Sequence, residues 1–532
     1  MVEVLPEVED VFNYVEKNGR WISDFHQEIW NYAETAWREY KSAAAYVELL
    51  RNEGFEVEEG SGGMPTAFCA LWGEGKPVIG GYAEYDAVPG FNQAAEPYPA
   101  LRDEKLHRWA AGHTDPHSAL GAGALFGFLA AKKVMEENSL EGTLKFLGEP
   151  AEKVCGSKAI HAAKGYFDDF DASICYHPWG SNGVTYDFAW GSYWSNVYTF
   201  ETIHPDKWFR PEVPYGRAAR IPGALDAVCL MYTTTKYTQT SMLPRTANWT
   251  MNEFLMVGGQ CTSDNVPPKI GQIQYAWRSP LLAMQEQIER VLDNNAKGVG
   301  VSTGTKVTKR IVARMRVGLA NKKISEVVYR NLQAAGPPEF GEDAKTFVRE
   351  IQRNLDLEPM EDPFTQQCQE IAPITAADDA MRSFLPPWVE TSGSDDYVEY
   401  TWNCPSTRLY TSRAIVKAPE PGYRYPSWAR LAMGGRRETI DPTILTAAKT
   451  IGASIVDLII HPDDLASAKQ EFVERTGGGV GGSKWVAPLL PKDFYPPIDL
   501  PWPEYVTTAR GTEWSLPKMG PEKEYKVIYE GI

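Results

Sequence analysis

The sequence predicts an α/β protein, a mainly parallel sheet flanked by helices, interrupted by an inserted α+β domain. Three observations predict it. Strand-like runs alternate with helical patterns from residue 9 to about 190 and again from about 320 to 465, the rhythm of parallel strands joined by crossover helices. Between 195 and 315 that rhythm gives way to longer strand-like runs and two helices. Acidic and histidine side chains collect just past the ends of predicted strands, where open α/β sheets place their sites.

The elements follow in order. Residues 9 to 53 read as helical, with Ala43, Tyr46, Val47 and Leu50 at i, i+3, i+4 and i+7, and Gly54 ends the helix. Strands are expected at 66 to 72 and 78 to 83, joined by the turn GEGKP. A helix of small and apolar residues runs from Ser118 to about Met135, a strand from Thr143 to Leu147 leads into Glu149 and Glu152, and a strand at 172 to 176 delivers His177. The inserted part holds strands at Trp194 to Thr202, Trp249 to Val257 and Gln272 to Trp277, with helices near 223 to 240 and 280 to 295. The expected organisation is a main domain in two parts, 1–194 and 318–465, an inserted domain at 195–317, and a Pro/Gly/Trp-rich extension at 466–532. That last stretch, with TGGGVGGSKW and LPKDFYPPIDLPWPEY, reads as an extended, wrapping tail.

Composition narrows the function. At 532 residues, 43% hydrophobic and 23% charged, the chain is an ordinary globular protein of two or three domains. A net charge of -17 argues against nucleic acid and anionic membranes as partners, and an anionic substrate would need local cations. Seven scattered cysteines with no CxxC pair fit a reduced, cytoplasmic setting. The acidic N-terminus has no signal-peptide pattern, and no run of roughly 18 apolar residues is expected to span a membrane.

The chemistry sits in four short segments. GHTDPHSALGAGAL offers Asp115 and His117, two apart on a turn before a helix; DASICYHP offers His177; GEPAEK offers Glu152. Asp115, His117 and His177 make a three-ligand set for a divalent ion, and Glu152 is placed to activate a bound water. A lone histidine is more often a hydrogen-bonded structural residue, and it is the collection of four such groups at strand ends that points to a site. Glu149 is the alternative base if the loop register differs. His26, His107, His161 and His461 read as structural or surface residues, and His113 as a neighbour of the metal ligands.

These segments, with GGYAEYDAVPG, GALDAVCLM, DNVPPKIGQIQYAWRSP, GSDDYVEYTWNCP and ILTAAKTIGASIVDLI, resemble the metallopeptidase and amidohydrolase family that includes aminoacylases, glutamate carboxypeptidases and indole-acetyl-amino-acid hydrolases. The resemblance covers residues from about 25 to 465. It implies a zinc-peptidase-like catalytic domain and an inserted lid that mediates homodimerisation. It places the family's first ligand pair on Asp115 and His117, the general base on Glu152, the later histidine ligand on His177 and the orienting acid on Asp86. The two unshared ligands of a second metal fall on Lys153 and Asp441. A lysine has no acceptor for a cation, so the implied site is mononuclear, with Lys153 paired to Asp441 in the second metal's place. The family's oxyanion-binding lid histidine falls nearest His204, with Arg210, Tyr215 and Arg217 as alternatives. Asn265 and Arg278 keep the family's spacing for substrate contacts, and Trp179 beside His177, with Tyr176, Trp190 and Trp194, suggests an aromatic or bulky substrate.

The expected activity is therefore metal-dependent hydrolysis of a C–N amide bond in a small molecule, with one zinc or manganese ion. A mononuclear hydratase or lyase on the same fold, or an inactive binding subunit of a hetero-oligomer, are the alternatives the rewritten ligands leave open.

Overall fold

The computed structural model describes residues 5–102, 110–114, 116–203, 223–243, 248–259, 268–386, 389, 391–508, 511–514 and 526–530. The stretch expected as one N-terminal helix is three, Pro6–Lys17, Gly19–Tyr32 and Tyr40–Asn52. The second ends on Ala33 in the left-handed conformation, φ 43°, which turns the chain where apolar periodicity alone gives no break.

The main sheet has seven strands in the order Glu56–Glu59, Phe68–Glu74, Gly142–Gly148, Val78–Ala83, Ala172–Trp179, Ser406–Ser412, Gly183–Val184. The four from Gly142–Gly148 to Ser406–Ser412 are mutually parallel and the outer ones antiparallel. Val78–Ala83 is buried along its whole length, as a central strand covered on both faces must be. The parallel strands put their C-terminal ends on one rim, so Glu84 and Asp86, Glu149 and Glu152, and His177 meet there.

Two long helices, His117–Asn138 and Arg437–Ile460, pack against each other inside the main domain. They touch at glycine: a Cβ on Gly452 would lie 2.8 Å from the carbonyl oxygen of Gly127. The sequence led us to expect no span-like segment, yet both helices are long and apolar enough to cross a membrane by length and composition. Most of each is buried, which is what a core helix flanked on all sides requires.

The inserted domain is a βαββαβ unit: Ser192–Glu201, Ala224–Met242, Thr250–Val257, Ile270–Ser279, Leu282–Thr303 and Lys306–Arg314. Its antiparallel sheet gains a fifth strand, Lys526–Tyr529, from the C-terminal extension, which pairs with Lys306–Arg314. Alternation along Ser192–Glu201 sends Tyr198 and Phe200 toward the two helices and Val197 to the other face. On that other face, Val197 and Val312 share a cluster with Trp37, Met64 and Ala151 of the main domain and with Leu490, Phe494, Leu500 and Trp502 of the extension. The extension is thus wedged between the two domains.

Candidate active site

His117 is the first residue of its helix, and its ring is aimed by Asp86, whose Oδ1 lies 2.7 Å from Nδ1. Asp86 is itself held by the Lys153 backbone N–H, which donates to Oδ2 at 2.9 Å. Nε2 of His117 then faces a crowded space: Lys153 Nζ at 3.0 Å, Glu84 Oε2 at 3.3 Å and Glu152 Oε2 at 3.3 Å. His177 places its Nδ1 2.7 Å from the Pro178 carbonyl oxygen, which leaves its Nε2 as the ligating nitrogen, and its ring stands 5.8 Å from that of His117. Glu84, His117 and His177 each offer one atom to a common point, all within 4.8 Å of one another.

These residues fit a divalent metal. Glu84 Oε2 is buried without a hydrogen-bond partner, and both imidazoles have Nδ1 engaged, the arrangement that orients Nε2 for ligation. One carboxylate oxygen and two imidazole nitrogens suit zinc or manganese. Asp115, the expected third ligand, lies outside the described residues, as do His204, Arg210, Tyr215, Arg217 and Asn265. Glu84 is the candidate ligand that sequence reading missed; its position at a strand end, two residues before Asp86, is the available signal.

The charges of the site are mutually dependent. Burial raises the Glu152 pKa and the Glu84 charge adds to it, against Lys153 and His117, leaving it at about 7. Burial and Lys153 push His117 toward neutrality, but Glu84 and Asp86 outweigh them and raise it to about 9. Burial would raise Asp86, yet the charge and hydrogen bond of His117, with Lys153, hold it below the usual carboxylate value. His117 Nε2 and Lys153 Nζ at 3.0 Å cannot both point N–H groups at each other, so a metal reaching Nε2 requires Lys153 to withdraw.

One expectation is corrected. Lys153 does not pair with Asp441. Asp441 lies in the first turns of Arg437–Ile460, accepts from Ser23 Oγ at 2.6 Å, and has no hydrogen-bond partner on Oδ1. The helix turns this side chain toward Gly19–Tyr32, and Lys153 instead meets His117 Nε2 and, at 3.7 Å, Glu152. Glu149, the alternative base, is also committed elsewhere: Tyr400 donates to it at 2.8 Å and His161 Nδ1 lies 3.0 Å away, with Ser61 Oγ 2.9 Å from His161 Nε2. All of these groups are buried. Lys158, buried between Glu84 and Asp396 at 2.7 Å from each, supplies a further internal cation that the sequence did not flag.

A cavity of about 670 Å³, which meets this centre at Lys153, lies between the main domain, the inserted sheet and the extension. Lys153 and Arg278 line it, and no acidic residue does among those described. Arg278 lies over the Tyr193 ring at 5.0 Å and donates to Ser394 at 2.7 Å. Val88, Val154, Phe254, Leu255, Met256 and Trp502 make its walls largely apolar. A bulge that leaves Met256 without a partner on Ile270–Ser279 falls in this wall. Trp179 is not part of that lining: it is half exposed, 6.1 Å from the His177 ring, and Trp190 and Tyr176 are hydrogen-bonded to Tyr410 and Thr411.

No protein-family model matches the chain. It is 26% identical over 503 residues to one of the subunits of p-aminobenzoyl-glutamate hydrolase from Escherichia coli K12, covering 90% of this chain and 96% of that protein. It is 25% identical over 189 residues to hippurate hydrolase of Campylobacter jejuni, covering 35% of this chain and 45% of that one. Its structure aligns with the crystal structure of an aminobenzoyl-glutamate utilization protein from Klebsiella pneumoniae at TM-score 0.50 and 12% identity, over 84% of this chain and 97% of that one. The chain is a relative of the Escherichia coli hydrolase polypeptide over nearly its whole length and has the fold of the aminobenzoyl-glutamate utilization protein, as its motifs indicated.

Proposed function

We propose that the protein is a metal-dependent amidohydrolase that cleaves the C–N bond of a small amide bearing an anionic group and a bulky, apolar or aromatic part. The observation that carries this reading is Glu152, a carboxylate with its pKa near neutrality, set 3.3 Å from His117 Nε2 and 3.7 Å from Lys153, which lines a cationic, apolar-walled cavity. The chemistry supplied by one divalent ion, zinc or manganese, at His117, His177 and Glu84, with Asp115 as the resemblance implies, is polarisation of the amide carbonyl and acidification of water.

The chain's own residues supply the rest. Glu152 takes the proton of the attacking water and returns it to the leaving nitrogen, which a base with a pKa near the working pH does best. Asp86 holds His117 in orientation. Lys153 carries a mobile positive charge beside the reacting carbonyl, in the place where the family resemblance puts a second metal's ligand, and stabilises the developing oxyanion. Arg278, packed on Tyr193, receives the substrate's anionic group. The relatives named for aminobenzoyl-glutamate and hippurate hydrolysis support N-aroyl amino acids as the substrate class. The Thr250–Val257 strand at the sheet edge opposite Lys526–Tyr529, with Phe254 and Leu255 exposed, supports a homodimer through the inserted domain.

The test joins metal content to turnover. Protein purified without chelator is expected to carry one metal per chain by plasma mass spectrometry, and to release the amine from N-(4-aminobenzoyl)glutamate or hippurate. Glu152→Gln should keep the metal and lose roughly 10²–10⁴ in kcat. Two metals per chain would overturn the mononuclear site, and an unaffected Glu152→Gln or a product without free amine would overturn the hydrolytic reading.

A further inference from the structure

One wall of the cavity comes from the C-terminal extension: Pro501, Trp502 and Pro503. This segment is built in. Trp502 is 4% exposed, and its indole N–H donates to the Pro497 carbonyl at 2.6 Å, which fixes the ring against its own turn. Thr35 Oγ1 donates to the Pro503 carbonyl at 2.5 Å, and Thr35 itself lines the cavity. Arg38 donates to the Ile498 carbonyl at 3.3 Å and to Glu504 at 3.3 Å. On the other side, Arg310 of the inserted sheet donates to the carbonyls of Tyr495 at 2.9 Å and Pro496 at 3.1 Å. Leu500 and Trp502 then pack in the cluster shared by both domains. A rigid aromatic ring held from two sides, facing a space whose described charges are Lys153 and Arg278, is the arrangement of a selective wall.

We propose that the C-terminal extension is part of the substrate site, and that Trp502 sets the size and apolar character of the acyl group admitted beside Lys153 and Arg278. Trp502 acts by contact with the substrate's apolar half while Arg278 takes its anionic half. This rests on the amidohydrolase reading for the reaction, though the wall itself is a matter of binding. A pocket that loses an indole loses contact with a matched aromatic group and gains room for a larger one, while a group too small to reach the wall is indifferent to it.

The experiment uses the full-length holoenzyme with Trp502→Ala and Trp502→Phe, their folding checked by thermal melting. N-acetyl-, N-benzoyl- and N-(2-naphthoyl)-glutamate are compared for kcat and KM, and for affinity by calorimetry. For Trp502→Ala the benzoyl substrate should lose about tenfold or more in kcat/KM, chiefly through KM. The naphthoyl-to-benzoyl preference should rise, and the acetyl substrate should change by no more than about twofold. Trp502→Phe should recover most of the benzoyl activity. An equal loss for all three substrates, or a loss confined to kcat, would mean a merely structural tryptophan and overturns the proposal. If the wild type binds these ligands and cleaves none, the hydrolase reading fails and the wall is judged by the same ratios in the binding constants. If the wild type binds none of them, the wall proposal is overturned as well.

Discussion

Burial of Asp441 pushes its pKa up to about 6, although the Ser23 hydrogen bond and Arg437 pull the other way. In the unfolded chain an aspartate titrates near 3.9. The folded protein therefore holds this proton more tightly. Its stabilising effect is complete below about pH 4 and is lost as the pH rises through about 6. Asp441→Asn removes the ionisation and can still accept from Ser23. It is expected to unfold at a higher temperature than wild type at pH 7.5, by at most about 2 kcal/mol after allowance for partial exposure, with the difference closing by pH 4. Melting curves at the two pH values check this, and equal curves at pH 7.5 would contradict it. The same residue shows where sequence reading stops. His177 and Glu152 were legible because they follow predicted strands, His117 because it opens a predicted helix, and Asp86 through the family resemblance. Asp441 was assigned by motif position alone, but the direction of a helical side chain depends on where the helix begins, and Arg437–Ile460 turns it to Ser23. Glu84 stands at a predicted strand end, but only its meeting with His117 at a helix start and with His177 makes it a candidate ligand.

At the scale of elements, the crossing of His117–Asn138 and Arg437–Ile460 depends on glycine for distance. Gly452→Ala gains about 1 kcal/mol of helix propensity, but its Cβ would lie 2.8 Å from the Gly127 carbonyl oxygen and 2.8 Å from Val11 Cγ1. The backbone must move, so the variant is expected to be less stable by about 1–3 kcal/mol. Gly298, exposed on Leu282–Thr303 with nothing within 4 Å of the added methyl, is the control: Gly298→Ala should stabilise by up to about 1 kcal/mol. Opposite shifts in denaturant midpoint are the expected outcome, and a shift of the same sign in both would refute the packing argument. Most strands and helices were legible because buried parallel strands read as short apolar runs between turn signals. The division of the first helical stretch into three was not read, although Asn18-Gly19 is a turn dipeptide; Ala33 carries no such signature, and the first two helices are held by packing on His117–Asn138 and Arg437–Ile460.

At the scale of the whole molecule, the helix Pro462–Thr476 runs on into the stretch expected as an extended tail, and the place of the following residues between the domains is set by contacts that no local pattern encodes. Arg310, 1% exposed, binds the Tyr495–Pro496 segment to the inserted sheet. Arg310→Met keeps the apolar stem and removes the donors. Limited proteolysis is expected to cut between residues 485 and 504 roughly tenfold faster or more in this variant, the scale of one or two lost charged hydrogen bonds. Unchanged cleavage would show that the Arg310 hydrogen bonds do not hold this segment in place. The inserted domain also has its two ends side by side, with Trp194 paired to Arg314 across adjacent strands. The helices that meet at Gly127 and Gly452 are joined through that insertion. Once the insertion has folded on itself, the chain between those helices is short-circuited, and the entropy of closing the long loop falls to that of the segments outside the inserted domain. An inserted domain that folds first would therefore lower the cost of closing the two-part domain around it.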